Sequence, residues 1–249
     1  MTLTVHQFPC LSDNYGFIIR DDASGQTACI DTPEAGAVLA ALKAKGWGLD
    51  FILNTHWHPD HAGGNAEIKA ATGATIVGPA EVTRIAPLDR IVADGDTVDL
   101  GATRFEVIGC GGHTLGHITY FDDADRIAFV GDTLFAMGCG RVFEGTAEQM
   151  WTSLQRLAAL PDETTVYCAH EYTASNARFA LSVDNDAVVK ARTEAVFAAR
   201  QRGEPTVPTT IGLEKATNPF LRAPLLTTAS GRDYEAFGAI RSAKDSFKG

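Results

Sequence analysis

This 249-residue sequence predicts an α/β chain of the α+β type, with a large strand-rich domain followed by a small helical one. Three observations carry the prediction. From Thr2 to about His170, short apolar β-like runs alternate with glycine-bearing turns and a few helical stretches. After Tyr172 the strand signals fade and helical patterns take over. A hydrophobic content of 45% supports a packed core, and the length suits one large domain plus a smaller one. The boundary is placed between residues 171 and 172, giving domains 1–171 and 172–249.

The elements follow in order. Glu34–Lys45 reads as a helix with Gly46 just past its end, and Gly64–Thr72 as another ending at Gly73. Phe105–Ile108, Ile127–Val130 and Thr165–Cys168 read as strands. Thr146-Ala147-Glu148-Gln149 matches a capping box opening a helix over Glu148–Leu160, which Pro161 stops. Ser175–Val183, Asp186–Gln201 and Tyr234–Lys244 read as helices, with a proline-containing connection over Gly203–Pro219. No repeat or low-complexity tract interrupts this order.

Bulk properties exclude several classes of function. The formal net charge of −10 opposes nonspecific nucleic-acid binding. No apolar run is long enough to span a membrane, and Met1–His6 lacks the basic flank and apolar core of a secretory signal. The five cysteines (10, 29, 110, 139 and 168) are odd in number and form no C-x-x-C pair. They read as reduced thiols of a cytoplasmic protein.

The chemistry is concentrated in Asn54-Thr55-His56-Trp57-His58-Pro59-Asp60-His61. His56 and His58 are two residues apart, so in an extended segment they emerge on one face. Asp60 and His61 add a carboxylate and another imidazole. These donors suit zinc, iron or manganese. Four of them in six residues exceed what one open site takes from a single loop, so two adjacent metals are expected. Three of the chain's seven histidines fall here, which argues against a surface loop with chance histidines. Further candidates each follow a β-like run: His113 in Gly111-Gly112-His113-Thr114, Asp132 in Gly131-Asp132-Thr133, and His170 in Ala169-His170-Glu171. Asp132 has two oxygens with which to bridge two ions.

These motifs, with Gly131-Asp132-Thr133-Leu134-Phe135 and Cys168-Ala169-His170-Glu171-Tyr172-Thr173, resemble the metallo-β-lactamase superfamily. Within it, the chain is most similar to the glyoxalase II family, the hydroxyacylglutathione hydrolases. That likeness rests on Leu11-Ser12-Asp13-Asn14-Tyr15, on Gly138-Cys139-Gly140-Arg141 through Glu144-Gly145-Thr146, on Asn218-Pro219-Phe220-Leu221-Arg222, and on Arg241-Ser242-Ala243-Lys244-Asp245. It implies an αββα sandwich followed by a helical, glutathione-recognising domain. It also implies two divalent ions, zinc foremost with iron or manganese as alternatives. His56, His58 and His113 would hold one; Asp60, His61 and His170 would hold the other, with Asp132 bridging. The implied reaction is hydrolysis of S-D-lactoylglutathione by a shared hydroxide, Asp60 and Asp132 being the catalytic carboxylates. A monomer acting on a small thioester, with neither nucleic acid nor membrane as partner, is the expected form.

Arg141, Arg241 and Lys244 stand where the family places glutathione-binding cations, and Tyr172 where it has a substrate-contacting tyrosine. Arg241 and Lys244 are also neighbours on one face of a helix. Some positions depart from the family pattern. Residue 141 is Arg where Lys is frequent, Phe143 replaces a Tyr found in some members, and Cys110-Gly111-Gly112 replaces Thr-Pro-Gly. Loss of that proline is expected to loosen the turn in the unfolded chain, with the same effect considered for the native one. His117 and Glu171 are expected to orient neighbours rather than to ligate or act as a base, and Cys110, Cys139 and Cys168 to pack. The rival readings are a persulfide dioxygenase using one iron and O₂, a lactonase or β-lactamase, a nuclease, and a non-enzymatic binding protein.

Overall fold

In the computed structural model, residues 3–227 and 231–248 are described; Met1 and Thr2 of the expected opening run lie outside them. The chain divides into two compact units. One comprises residues 1–109 and 116–131, the other residues 110–115 and 132–249.

The first unit is built on a six-stranded sheet. Its strands are β1 (Leu3–Cys10), β2 (Asn14–Asp21), β3 (Thr27–Ile30), β4 (Phe51–Leu53), β5 (Thr75–Gly78) and β6 (Arg90–Ile91), in sequential order. β1 to β3 run antiparallel; β3 to β6 run parallel, with Cys29 opposite Ile52 and Ile52 opposite Ile76. The central strands are short apolar runs because both faces are covered. On one face sit α1 (Ala35–Lys45) and α3 (Asn65–Thr72), whose Val38, Leu42 and Ile68 join Ile18, Cys29, Ile52 and Ile76 in one apolar cluster. Both helices end as their glycines require, with Gly46 and Gly73 in the left-handed region at φ 66° and 78°. The short helix α2 (Pro59–Ala62) precedes α3.

On the other face, β7 (Thr97–Leu100), β8 (Thr103–Gly109), β9 (Ile118–Asp122) and β10 (Ile127–Gly131) form an antiparallel meander. Phe129 of β10 lies 5.8 Å from Phe17 of β2 and 6.2 Å from Phe105 of β8, ring centre to ring centre, tying the two sheets together. Asp31 and Asn54 follow directly at the carboxyl ends of the parallel strands β3 and β4. Such ends are where open parallel sheets present their functional loops.

The second unit contains the hairpin of β11 (Leu134–Phe135) and β12 (Gly138–Cys139), then α4 (Ala147–Ala158), β13 (Thr165–Cys168), α5 (Thr173–Val183) and α6 (Ala187–Gln201). There follow β14 (Thr209–Thr210), α7 (Ile211–Thr217), α8 (Ala223–Leu226) and α9 (Asp233–Ser246). The expected capping box is formed at Thr146 and Gln149, and Asp186 caps α6 through Val188 N. The connection expected over Gly203–Pro219 is more structured than its composition suggests. Thr165 pairs with Thr210 across β13 and β14, and the Thr210 hydroxyl accepts from Leu213 N to start α7. Aromatic packing of Phe220 against Phe179 and Phe237 fixes the helices to one another. Glu214, fully buried, ion-pairs with Arg192 and accepts from Met137 N at 2.9 Å and Asn218 Nδ2 at 2.9 Å. A buried carboxylate survives only when its lone pairs are met this way; here that demand anchors the β11–β12 hairpin tip to α7.

Candidate metal centre and substrate cleft

In the first unit the ligand loop leaves β4 at Asn54, and Pro59 sits in the first turn of α2 with His58 as N-cap. Proline is favoured there because its missing N–H has no helical partner. Asp60 and His61 lie inside α2, and His56 sits in the preceding loop. What orients His56 and His61 is Asp31, a residue absent from the sequence expectations. It is buried and adopts φ 56°, a left-handed conformation that Asp tolerates better than most residues. Its Oδ1 accepts from Thr55 N at 2.7 Å, and its Oδ2 accepts from Thr55 Oγ1 at 2.7 Å and pairs with His61 Nδ1 at 2.9 Å. The Thr55 hydroxyl, having donated its proton to Asp31, accepts from His56 Nδ1 at 3.0 Å. Both imidazoles are thereby protonated on Nδ1 and carry a lone pair on Nε2, as metal-ligating histidines do. His56 Nε2 lies 3.1 Å from His58 Nδ1, and His61 Nε2 lies 3.6 Å from Asp60 Oδ2. Asn14 Nδ2 donates to Asp60 Oδ2 at 3.2 Å.

His117 is buried and stacks on His56 with ring centres 4.7 Å apart. Gly131 keeps that stack possible: at φ 49°, a Cβ there would come within 2.7 Å of His117 Nε2 and 2.6 Å of Thr55 Oγ1.

In the second unit the candidate ligands come from three separate loops. His113 Nδ1 donates to the carbonyl of Arg141 at 2.8 Å, leaving its Nε2 lone pair aimed at Asp132 Oδ2, 3.4 Å away. His170 Nε2 stands 3.4 Å from Asp132 Oδ1. Each oxygen of Asp132 therefore faces a different imidazole. These separations exceed the roughly 2.7–2.9 Å of a charge-assisted hydrogen bond. They match the edge, about 3.3 Å, of a tetrahedron of donors at zinc–ligand bond lengths. The donor set, its tautomers and its spacing all fit divalent metal binding.

The turn before His113 is held by hydrogen bonds on both sides. Gly112 N donates to Thr114 O at 2.8 Å, Gly145 N to Gly112 O at 3.0 Å and Ser153 Oγ to Gly111 O at 2.7 Å. Gly112 has φ 146°, and a Cβ there would meet Met150 at 2.8 Å. Hydrogen bonding and close packing thus do what a proline would otherwise do.

A cleft of about 510 Å³ opens on this unit, lined by His113 and Asp132, by Arg141, Arg241 and Lys244, and by aromatics including Phe143 and Tyr172. Tyr172 lies flat on His170, ring centres 4.6 Å apart, while the exposed Phe143 ring is 5.3 Å from that of His113. Arg241 is buried, with Nη1 donating to Cys139 O at 3.1 Å and Nη2 to Asp245 Oδ1 at 2.8 Å. Lys244 Nζ donates to Ser175 O and Oγ, both at 3.1 Å. Burial first, and then the neighbouring Arg241, Arg178 and Arg141, push the Lys244 ammonium down to about 8.

Glu171 binds Thr206 through both its oxygens, at 2.8 Å to N and 2.6 Å to Oγ1, and so braces the chain beside His170. Burial pushes the Cys139 thiol up to about 11 and the Cys168 thiol to about 12. Cys110 is buried as well. Asp31 could have been found by the rule that found Asp132, because it too follows directly on an apolar run, Ala28-Cys29-Ile30.

Comparison with known proteins gives the family. Residues 22–170 match the family model of the metallo-β-lactamase superfamily, and residues 171–247 match that of the hydroxyacylglutathione hydrolase C-terminus. Among solved structures, ETHE1 from Myxococcus xanthus superposes with a TM-score of 0.72 at 29% identity, covering 98% of this chain and 92% of that one. The hydroxyacylglutathione hydrolase of Erythrobacter litoralis is 56% identical, covering 98% of this chain and 100% of that protein. That of Maricaulis maris is 54% identical, covering 98% and 99%. The chain belongs to the metallo-β-lactamase superfamily and, within it, to the hydroxyacylglutathione hydrolases.

Proposed function

We propose that this chain hydrolyses 2-hydroxyacyl thioesters of glutathione, with S-D-lactoylglutathione giving glutathione and D-lactate in methylglyoxal detoxification. The observation that carries the reading is one cleft lined both by His113 and Asp132 and by the cations Arg141, Arg241 and Lys244. The family membership supports it.

The seven ligands are those the resemblance assigns: His56, His58 and His113 for one ion, Asp60, His61 and His170 for the other, Asp132 bridging. Two divalent ions held there, zinc foremost and iron or manganese as alternatives, would supply an activated water and polarise the thioester carbonyl. The chain's own residues do the rest. Asp31 and Thr55 hold His56 and His61 in the ligating tautomer, and the Arg141 carbonyl does the same for His113. Arg141, Arg241 and Lys244 draw in the carboxylates of glutathione, which an acidic protein would otherwise repel. Tyr172, fixed on His170, places the peptide part of the substrate beside Asp132. The leaving thiolate needs no general acid, since a thiol has a pKa of about 8.5.

Residues 172–249 form the glutathione-recognising domain of this reading, and residues 1–171 the catalytic one. The protein works as a cytoplasmic monomer on a small-molecule substrate, without nucleic acid or membrane as partner. Five buried cysteines suit a reducing compartment, and among the described residues no helix is long and apolar enough to cross a membrane. Incubation of metal-loaded protein with S-D-lactoylglutathione should release one thiol and one D-lactate per thioester lost. Thioester loss without D-lactate would contradict the reading.

A further inference from the structure

The hairpin of β11 and β12 makes its turn inside the protein. Leu134 pairs with Cys139 and Phe135 with Gly138, leaving Ala136 and Met137 as a two-residue turn. Turns ordinarily lie at the surface, where water meets their polar groups; here residues 134–139 are all buried. Met137 is fully enclosed at φ 56°, a left-handed conformation that a non-glycine residue keeps only where its surroundings hold it. Three side chains from the helical part of the unit supply that hold. Asn176 Nδ2 of α5 donates to Ala136 O at 3.2 Å, and Glu214 Oε2 of α7 accepts from Met137 N at 2.9 Å. Asn218 Nδ2 donates to Phe135 O at 3.2 Å and to Gly138 O at 2.9 Å. Asn218 and Glu214 also bond to each other, and Arg192 and the Thr209 hydroxyl hold the second oxygen of Glu214.

The two ends of this hairpin address the two nitrogens of His113. Asp132, just before it, has Oδ2 3.4 Å from His113 Nε2, and Arg141, just after it, offers the carbonyl that accepts from Nδ1 at 2.8 Å. Phe135 lies edge-on to His170 with ring centres 5.8 Å apart, and Asp132 Oδ1 is 3.4 Å from His170 Nε2. Displacing the hairpin tip therefore shifts three proposed ligands relative to one another. We propose that Asn176, Glu214 and Asn218 form a socket that positions His113, Asp132 and His170 for metal, so that the helical region builds the metal centre as well as recognising substrate. The inference rests on the seven-ligand reading above and assigns positioning residues outside that ligand set.

The test is competition between the full-length protein and a chelating dye for zinc, alongside thermal melting. Asn218→Ala, folded by circular dichroism, should bind zinc roughly 10–100-fold less tightly than the wild type, the loss expected when a group supporting metal-bound side chains is removed. Gly138→Ala leaves every socket side chain in place, but its new Cβ would strike the Asn176 amide. It should weaken zinc binding in the same direction, and it decides the matter if Asn218→Ala does not fold. Unchanged zinc affinity in either folded variant would overturn the proposal, a lower melting temperature alone marking a socket that supports only the fold. A wild type that holds no zinc would sink the metal reading and the proposal with it. A wild type that holds zinc but leaves S-D-lactoylglutathione intact would fail the thioesterase reading alone, and the affinities of the variants would still decide the role of the socket.

Discussion

The histidines of residues 54–61 and those of residues 113 and 170 are held by different means. In the first region a buried side-chain network does the work: Asp31 orients His61 directly and His56 through Thr55. In the second region, a backbone carbonyl fixes His113, and Asp132 presents one oxygen to each imidazole. The first region is a contiguous motif on a loop between a strand and a short helix. The second gathers its donors from three loops, and its cations from the loop at Arg141 and from α9. A motif held by side chains should therefore fail by losing orientation, while a dispersed site should fail by losing donors or substrate contacts one at a time.

The sharpest break in this comparison is at Asp132, where one carboxylate serves two imidazoles. Asp132→Ala should lower kcat by on the order of 10³-fold and lower the metal bound per chain, measured on the same samples by elemental analysis. Asp31→Asn keeps a residue that tolerates the left-handed backbone but replaces the carboxylate with an amide. Metal affinity or activity should fall by about 10–100-fold with the fold intact by circular dichroism, as for other partners of metal-bound histidines.

In the second region, Arg241→Ala should raise KM by about tenfold and leave kcat within about twofold. Arg241→Lys should not restore it, since a point charge cannot reach both Cys139 O and Asp245. Lys244 adds a pH signature. Its folded pKa is about 8, so KM should rise severalfold as pH passes through about 8, and the profile of Lys244→Met should be flatter. The linked stability has the opposite sense. Between about 8 and the ordinary lysine value of about 10.4 the unfolded chain binds more protons than the folded one, so stability contributed at this position rises with pH. The smallest effect is expected at Phe143, where Phe143→Tyr should change KM by about threefold or less, the range of one exposed hydrogen bond.

Legibility in the sequence follows the same division. The ligand loop and the glycine-terminated helices α1 and α3 could be read because spacing and chirality act within a few residues. The roles of His113, Asp132 and His170 needed the family resemblance, since their meeting depends on chain folding rather than on spacing. Asp31 went unread because a lone aspartate after an apolar run looks like a turn residue until the fold brings His61 and Thr55 to it. The helix over Ile211–Thr217 went unread because it is short and follows closely on a proline. Its Thr210 cap and the buried Arg192–Glu214 pair, both invisible in the sequence pattern, are what sustain it. The hydrogen bonds that Ser153 and Gly145 make to the Cys110-Gly111-Gly112 turn could not be read from the sequence, because they come from a helix and a loop more than thirty residues away.

The proposed enzyme is a metal-dependent thioester hydrolase built on seven N and O ligands. Its most direct test is to titrate metal-free protein with zinc in the absence of oxygen while following S-D-lactoylglutathione hydrolysis. Activity should rise to saturation at two ions per chain and be abolished again by chelation. Full activity at one ion per chain, or an intact thioester in the presence of two, would contradict it.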